Sequence, residues 1–93
     1  MVENGLPEAG GRNGLTQAQR MARVLRLLDE SYLAHARGNK ESMILAYEQA
    51  QEVDDAVVIA VRGGLMIGEI PRPEDDYPAW EKYVEAAQRR SLA

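Results

Sequence analysis

Apolar and small residues recur at heptad spacing through the middle of the chain. Met43, Ala50, Val57 and Gly64 form one series, and Ala46, Val53, Ala60 and Ile67 form the offset series. Together they make the a/d stripe of an α-helix that lies along another helix. No proline or glycine interrupts residues 40–62, and the register passes through Asp54 and Asp55 without a slip. The pattern therefore predicts one helix over 40–69, about 30 residues and about 45 Å long, with a kink at Gly63-Gly64.

A second stripe precedes it. Ala18, Met21, Leu25, Leu28 and Tyr32 alternate three- and four-residue steps, and His35 continues them. Thr16 with Gln19 three positions on has capping-box spacing. Gly38 suits the residue after a helix C-terminus, and Asn39 suits the cap of the next helix. Helices over 16–37 and 40–69, joined by so short a turn, must run antiparallel. Pro71 and Pro73 end the second. Pro78 suits the start of a last helix over 78–91, with Arg89 and Arg90 at its C-terminal end. Trp80, Tyr83, Val84 and Ala87 share one face of it.

The fold class read from this pattern is all-α: an antiparallel helical hairpin plus a C-terminal helix, completing a bundle as a dimer. The alternative is α+β, because Val57, Val58, Ile59 and Val61 are β-branched and Arg62-Gly63-Gly64 could turn a β-hairpin over 56–70. Helix is preferred because Ala56, Ala60, Gly64 and Gly68 fall at i+4 spacing. On a helix they make one smooth stripe where a second backbone can approach. With Trp80, these four are the candidate packing or dimer-interface residues. Residues 1–14, with four glycines and Pro7, read as a flexible tail, and residues 15–93 as one domain.

Composition sharpens this picture. The chain has 93 residues, no cysteine and one histidine. A domain this small lacks the surface burial of larger ones and commonly adds disulfides, a metal or a partner. Without cysteine, disulfides and cysteine-based metal sites are excluded, and oligomerisation is the route left. No secretory signal and no apolar run near the roughly 20 residues of a membrane span is visible, so a cytoplasmic location is expected. The net charge of −4 is uneven, +1 over residues 1–47 and −5 over 48–93. An acidic chain favours protein partners over nucleic acid, which demands clustered Lys and Arg.

Candidate chemistry is sparse. His35 stands on the apolar stripe near Tyr32, with no nucleophile or paired carboxylate around it, so it reads as a partly buried structural residue. Asp54-Asp55 and Asp75-Asp76 lack the alternating ligands of a calcium loop and read as cap or solvated positions. Gly63-Gly64 lacks the Gly-Lys-Ser/Thr end of a phosphate loop. Arg20, Arg23 and Arg26, at steps of three, share one broad side of the first helix and read as a solvated face pairing with Glu or Asp of a neighbour, with a charged face for nucleic acid or an acidic partner as the alternative. Residues 34–54 resemble the central part of a tetratricopeptide repeat, with Gly38, Tyr47, Ala50 and Val53 at its spacing. Glu30, Met43 and Asp55 depart from that repeat and no second copy follows, so the resemblance implies hairpin packing and not membership. The expected function is a non-enzymatic interaction module, a homodimer serving as adaptor, scaffold or regulatory subunit, with no cofactor and no metal. A nucleic-acid-associated regulator using the three arginines ranks second, and an enzyme using His35 third.

Overall fold

The computed structural model describes residues 14–92, so the tail expected at 1–14 lies outside the described residues apart from Gly14. The chain forms three helices, α1 (Gln17–Ala36), α2 (Lys40–Ile67) and α3 (Tyr77–Arg90), with no strand among the described residues. The α+β alternative at 56–70 is thereby removed.

The helix ends are set by the capping chemistry read from the sequence. Thr16 caps α1, its hydroxyl accepting from the Gln19 N–H at 3.1 Å while the Gln19 side chain accepts from the Thr16 N–H at 2.9 Å. Arg37 closes the helix, and Gly38 turns the chain with φ 79°, a left-handed conformation that glycine takes without strain. Asn39 caps α2 through the Ser42 N–H. Asp76 caps α3 through the Ala79 N–H, and Pro78 occupies the second helical position, one later than expected.

The largest departure lies inside α2. Gly63 and Gly64 remain helical, and the break falls at Asp54, whose backbone is extended (φ −169°, ψ 99°). The Asp54 carboxylate caps the helical segment that begins after it. Oδ1 accepts from the Val57 N–H at 3.3 Å, and Oδ2 accepts from Arg20 Nε at 2.9 Å. The bend is sharp. Arg62 donates to the Tyr47 hydroxyl at 2.8 Å, although 15 residues of unbroken helix would separate the two by about 22 Å. The first arm (40–53) thus runs back along α1, and the second arm (55–67) folds back towards the first. No long helix is left uncovered, because Val57, Val58 and Val61 of the second arm are buried in the chain's own core.

The bend also shifts the heptad register. Met43, Ala50, Val57 and Gly64 all face inward to some degree, but Ala60 and Ile67 of the offset series are exposed. Replacing Asp54 by alanine removes the cap and the Arg20 partner together, and should lower the unfolding free energy by about 1–2 kcal/mol. Denaturant unfolding followed by circular dichroism checks it. A stability equal to that of the parent would show that the bend needs no cap.

α1 lies at the centre, packing against α2 on one side and α3 on another. Ser31 pins the first pairing through its hydroxyl on the Met43 carbonyl at 2.8 Å. α3 runs antiparallel to α1: Tyr77 and Trp80 meet Asp29, and Gln88 donates to the Ala22 carbonyl at 2.9 Å. Val24, Leu25, Ala50, Val58, Val61, Trp80, Val84 and Ala87 form the core.

Candidate functional site

The residues expected to form one close-packing stripe separate into three settings. Ala56 and Ala60 are exposed on the second arm of α2. Gly64 is buried, but against its own chain: a Cβ there would lie 2.6 Å from Ile70 Cδ1. That approach follows from the turn at Gly68, whose φ of 81° closes α2 and carries Glu69 and Ile70 back, their N–H groups donating to the Gly64 carbonyl. Trp80 is 1 % exposed at the centre of the core and offers nothing to a partner.

A different set takes up the outward face of the second arm. Ala56, Ile59, Ala60, Gly63, Met66 and Ile67 fall at three- and four-residue steps on the side opposite Val57, Val58, Val61 and Gly64. Ile59, Met66 and Ile67 are 63 %, 77 % and 70 % exposed. Ala60 and Gly63 between them leave the ridge low, and nothing lies within 4 Å of where a Gly63 Cβ would be. This is a continuous apolar face without a covering element among the described residues. The sequence carried the signal, because these positions are as apolar as the inward ones. The straight-helix reading assigned Ala60 and Ile67 to the buried side.

The three arginines do not form a free basic face. Arg20 is tied to Asp54 and also donates to the Leu15 carbonyl at 2.7 Å. Arg23 and Arg26 are exposed, but they border a groove of about 720 Å³ together with Glu30 and Glu52. His35, expected to be partly buried, is exposed at the end of α1, because the turn at Gly38 leaves that flank uncovered.

His35 stands at the rim of a second cleft, of about 500 Å³, where α1, both arms of α2 and the loop after α2 converge. Half-buried Leu28, Tyr32, Tyr47 and Leu65 form its apolar lining. Arg62 lies over the Tyr47 ring, 5.8 Å from its centroid, and Arg72 Nε donates to the Leu65 carbonyl at 3.0 Å.

The polar centre that sequence reasoning missed is Asp29, a carboxylate 7 % exposed among apolar neighbours. Its Oδ1 accepts from the Trp80 indole N–H and from the Tyr77 hydroxyl, both at 2.9 Å. Tyr77 also stacks on Tyr32, with ring centroids 5.9 Å apart. Asp29 lies four positions after Leu25, on the apolar face of α1, and that misplaced charge was the available clue. Its partners come from a helix about 50 residues on.

Burial, then the hydrogen bond to Asp29 and that residue's charge, push the Tyr77 hydroxyl up to about 12, with Glu81 adding and Arg26 opposing. The folded-state value thus exceeds the ordinary one near 10. Tyr77 contributes full stabilisation below about pH 10 and loses it as pH rises through about 12. The denaturation midpoint of the parent should fall more steeply over that window than that of Tyr77→Phe. Parallel pH profiles would remove the Asp29–Tyr77 bond from the account of stability.

No helix among the described residues is long and apolar enough to cross a membrane. Among them, no three His, Asp or Glu side chains gather where a metal ion could be held. The chain shows no significant match to any family model, to any curated protein or to any solved structure.

Proposed function

We propose that this protein is a cytoplasmic, non-enzymatic interaction module that pairs with a second copy of itself through the outward face of the second arm of α2. The observation that carries the reading is the run Ala56, Ile59, Ala60, Gly63, Met66 and Ile67, an apolar stripe whose three large members are exposed in the single chain. Contiguous exposed apolar surface costs solubility and marks contact sites when it is built from regular helix positions. The low ridge at Ala60 and Gly63 lets two such arms approach closely, with Ile59 and Met66 of each filling the space beside the other. A two-fold pairing presents the same face from both copies and closes on itself. An adaptor, scaffold or regulatory role then rests on what the remaining surface binds.

Two other readings lose support. The nucleic-acid reading relied on Arg20, Arg23 and Arg26, of which the first is committed to Asp54 and the others share their groove with Glu30 and Glu52. The catalytic reading relied on His35, which is exposed and makes no side-chain hydrogen bond among the described residues.

Sedimentation at micromolar concentration tests the proposal. The parent should have about twice the chain mass of 10.3 kDa, and Ile59→Glu/Met66→Glu should sediment as a monomer with unchanged helix content. A parent that is monomeric at about 100 μM would remove the self-association reading.

A further inference from the structure

We propose that the cleft between α1, the two arms of α2 and the loop after α2 is a docking groove for a partner's peptide segment that carries an apolar side chain beside carboxylates. This surface goes beyond the self-association face. On the second arm Arg62 and Leu65 lie about 100° or more around the helix from the centre of the stripe holding Ile59 and Met66.

The lining has two parts that fit such a ligand. Leu28, Tyr32, Tyr47 and Leu65 are half-buried and form the apolar part of a cleft of about 500 Å³. That volume lies within the range that holds a large side chain or two with their backbone. The rim carries the guanidinium groups of Arg62 and Arg72. Both are held in place by neutral acceptors: Arg62 by the Tyr47 hydroxyl and ring face, Arg72 by the Leu65 carbonyl near the end of α2. Among the described residues no carboxylate lies within 4 Å of Arg62, and the nearest to Arg72, Asp75, is loosely placed at 3.9 Å. Arg62 is therefore oriented without a carboxylate partner, Arg72 has only the long, exposed pair with Asp75, and the remaining N–H groups of both are available to a carboxylate.

His35 also lines the cleft, and Glu74 is the one acidic residue there. The lining thus holds two guanidinium groups to one carboxylate, an excess of positive charge on a chain of net charge −4. Charge complementarity selects an acidic partner, and the hollow requires an apolar anchor beside the acid. The cleft is partly open to solvent at a junction of four chain segments, which leaves room for a peptide laid across it.

The test uses a blocked peptide, acetyl-Glu-Glu-Leu-Phe-Glu-Glu-amide, titrated into the isotopically labelled full chain and followed by backbone amide shifts. Saturable shifts are expected at Tyr47, Arg62, Leu65 and Arg72, weakening as salt is raised from about 50 to about 500 mM. Replacing every Glu of the peptide by Gln should weaken binding about tenfold or more, as should replacing Leu-Phe by Ser-Ser. Arg62→Gln/Arg72→Gln should do the same to the parent peptide. Both arginines are exposed, and if that variant proves unstable, the comparison of peptides on the parent protein decides alone.

Absence of shifts at about 1 mM peptide would overturn the proposal. So would equal affinity for the Gln peptide, or for the Ser-Ser peptide, which would reduce the site to a general anion patch. Ile59→Gln/Met66→Gln, which removes the large apolar side chains of the self-association face without bringing a carboxylate beside Arg62, should be monomeric and bind the peptide as the parent does, so the failure of either reading is visible separately.

Discussion

Trp80→Ala is expected to bring this protein close to global unfolding at 37 °C. The indole is the largest fully buried side chain and sits where α3 docks on α1. Truncating a buried aromatic to alanine costs about 3–5 kcal/mol, from lost apolar transfer and from the cavity left behind. A domain of this size has a total stability near the lower end of about 5–15 kcal/mol. The substitution also removes the indole N–H that Asp29 accepts, leaving a buried carboxylate oxygen with one partner fewer. Thermal unfolding followed by far-ultraviolet circular dichroism is the suitable measurement, since the single tryptophan is lost. A melting temperature within a few degrees of the parent's would mean that α3 is not held by this contact.

Asp29→Leu comes next in size and separates hydrogen bonding from packing. Leucine repeats the branched outline of the carboxylate and is apolar, so it suits the surroundings in polarity, while its bulkier methyl groups add some overpacking. Its defect is that the Trp80 N–H, already shut away from water, has no acceptor. The Tyr77 hydroxyl is only half-buried and can turn to solvent. Losing two bonds to a charged acceptor and stranding one donor should cost about 2–4 kcal/mol. Asp29→Asn keeps a carbonyl oxygen where Oδ1 stands and should cost about 1 kcal/mol. Denaturant midpoints of the two variants give the comparison. If leucine is as well tolerated as asparagine, the carboxylate is dispensable and apolar contact alone secures α3.

The helices were legible in the sequence because their ends are local chemistry. Thr16 with Gln19, Gly38 with Asn39, and Pro78 near the start of α3 each act over three or four residues, and each acts within one residue of where the spacing placed it. The bend in α2 was not legible, since neither glycine nor proline marks it. Asp54 leaves the helical conformation with a local cap on one oxygen, and the other oxygen is held by an arginine 34 positions earlier. The glycine pair drew the break to itself, yet Gly64 is there to admit Ile70 and stays helical.

Once the bend was misplaced, the faces of the second arm were misassigned. Ile59, Met66 and Ile67 are as apolar as Val57, Val58 and Val61, so periodicity alone allowed either side to be inward. The same limit hid the cleft. Tyr47 and Arg62 are distant on a straight helix and become neighbours only when the arms fold together. For α1 the expected stripe was rotated from the buried one. α1 is covered from two sides, and its buried set, Ala22, Val24, Leu25, Asp29, Ser31 and Ala34, is wider than a single seam.

The central place of α1 has a thermodynamic consequence. α2 and α3 both pack on α1 and make no backbone-level packing with each other. At the level of the backbone each is therefore coupled to the other through α1, and the side chains of the shared core add to that coupling. Detaching α3 uncovers Asp29 and the flank at Ala22, and detaching α2 uncovers the Val24 and Leu25 side of the core. Either event leaves α1 half-solvated, and a lone helix of 20 residues has little stability of its own in water. The cooperativity of the whole domain is thus concentrated in one helix, and strain introduced anywhere along α1 is shared by both of the elements that depend on it.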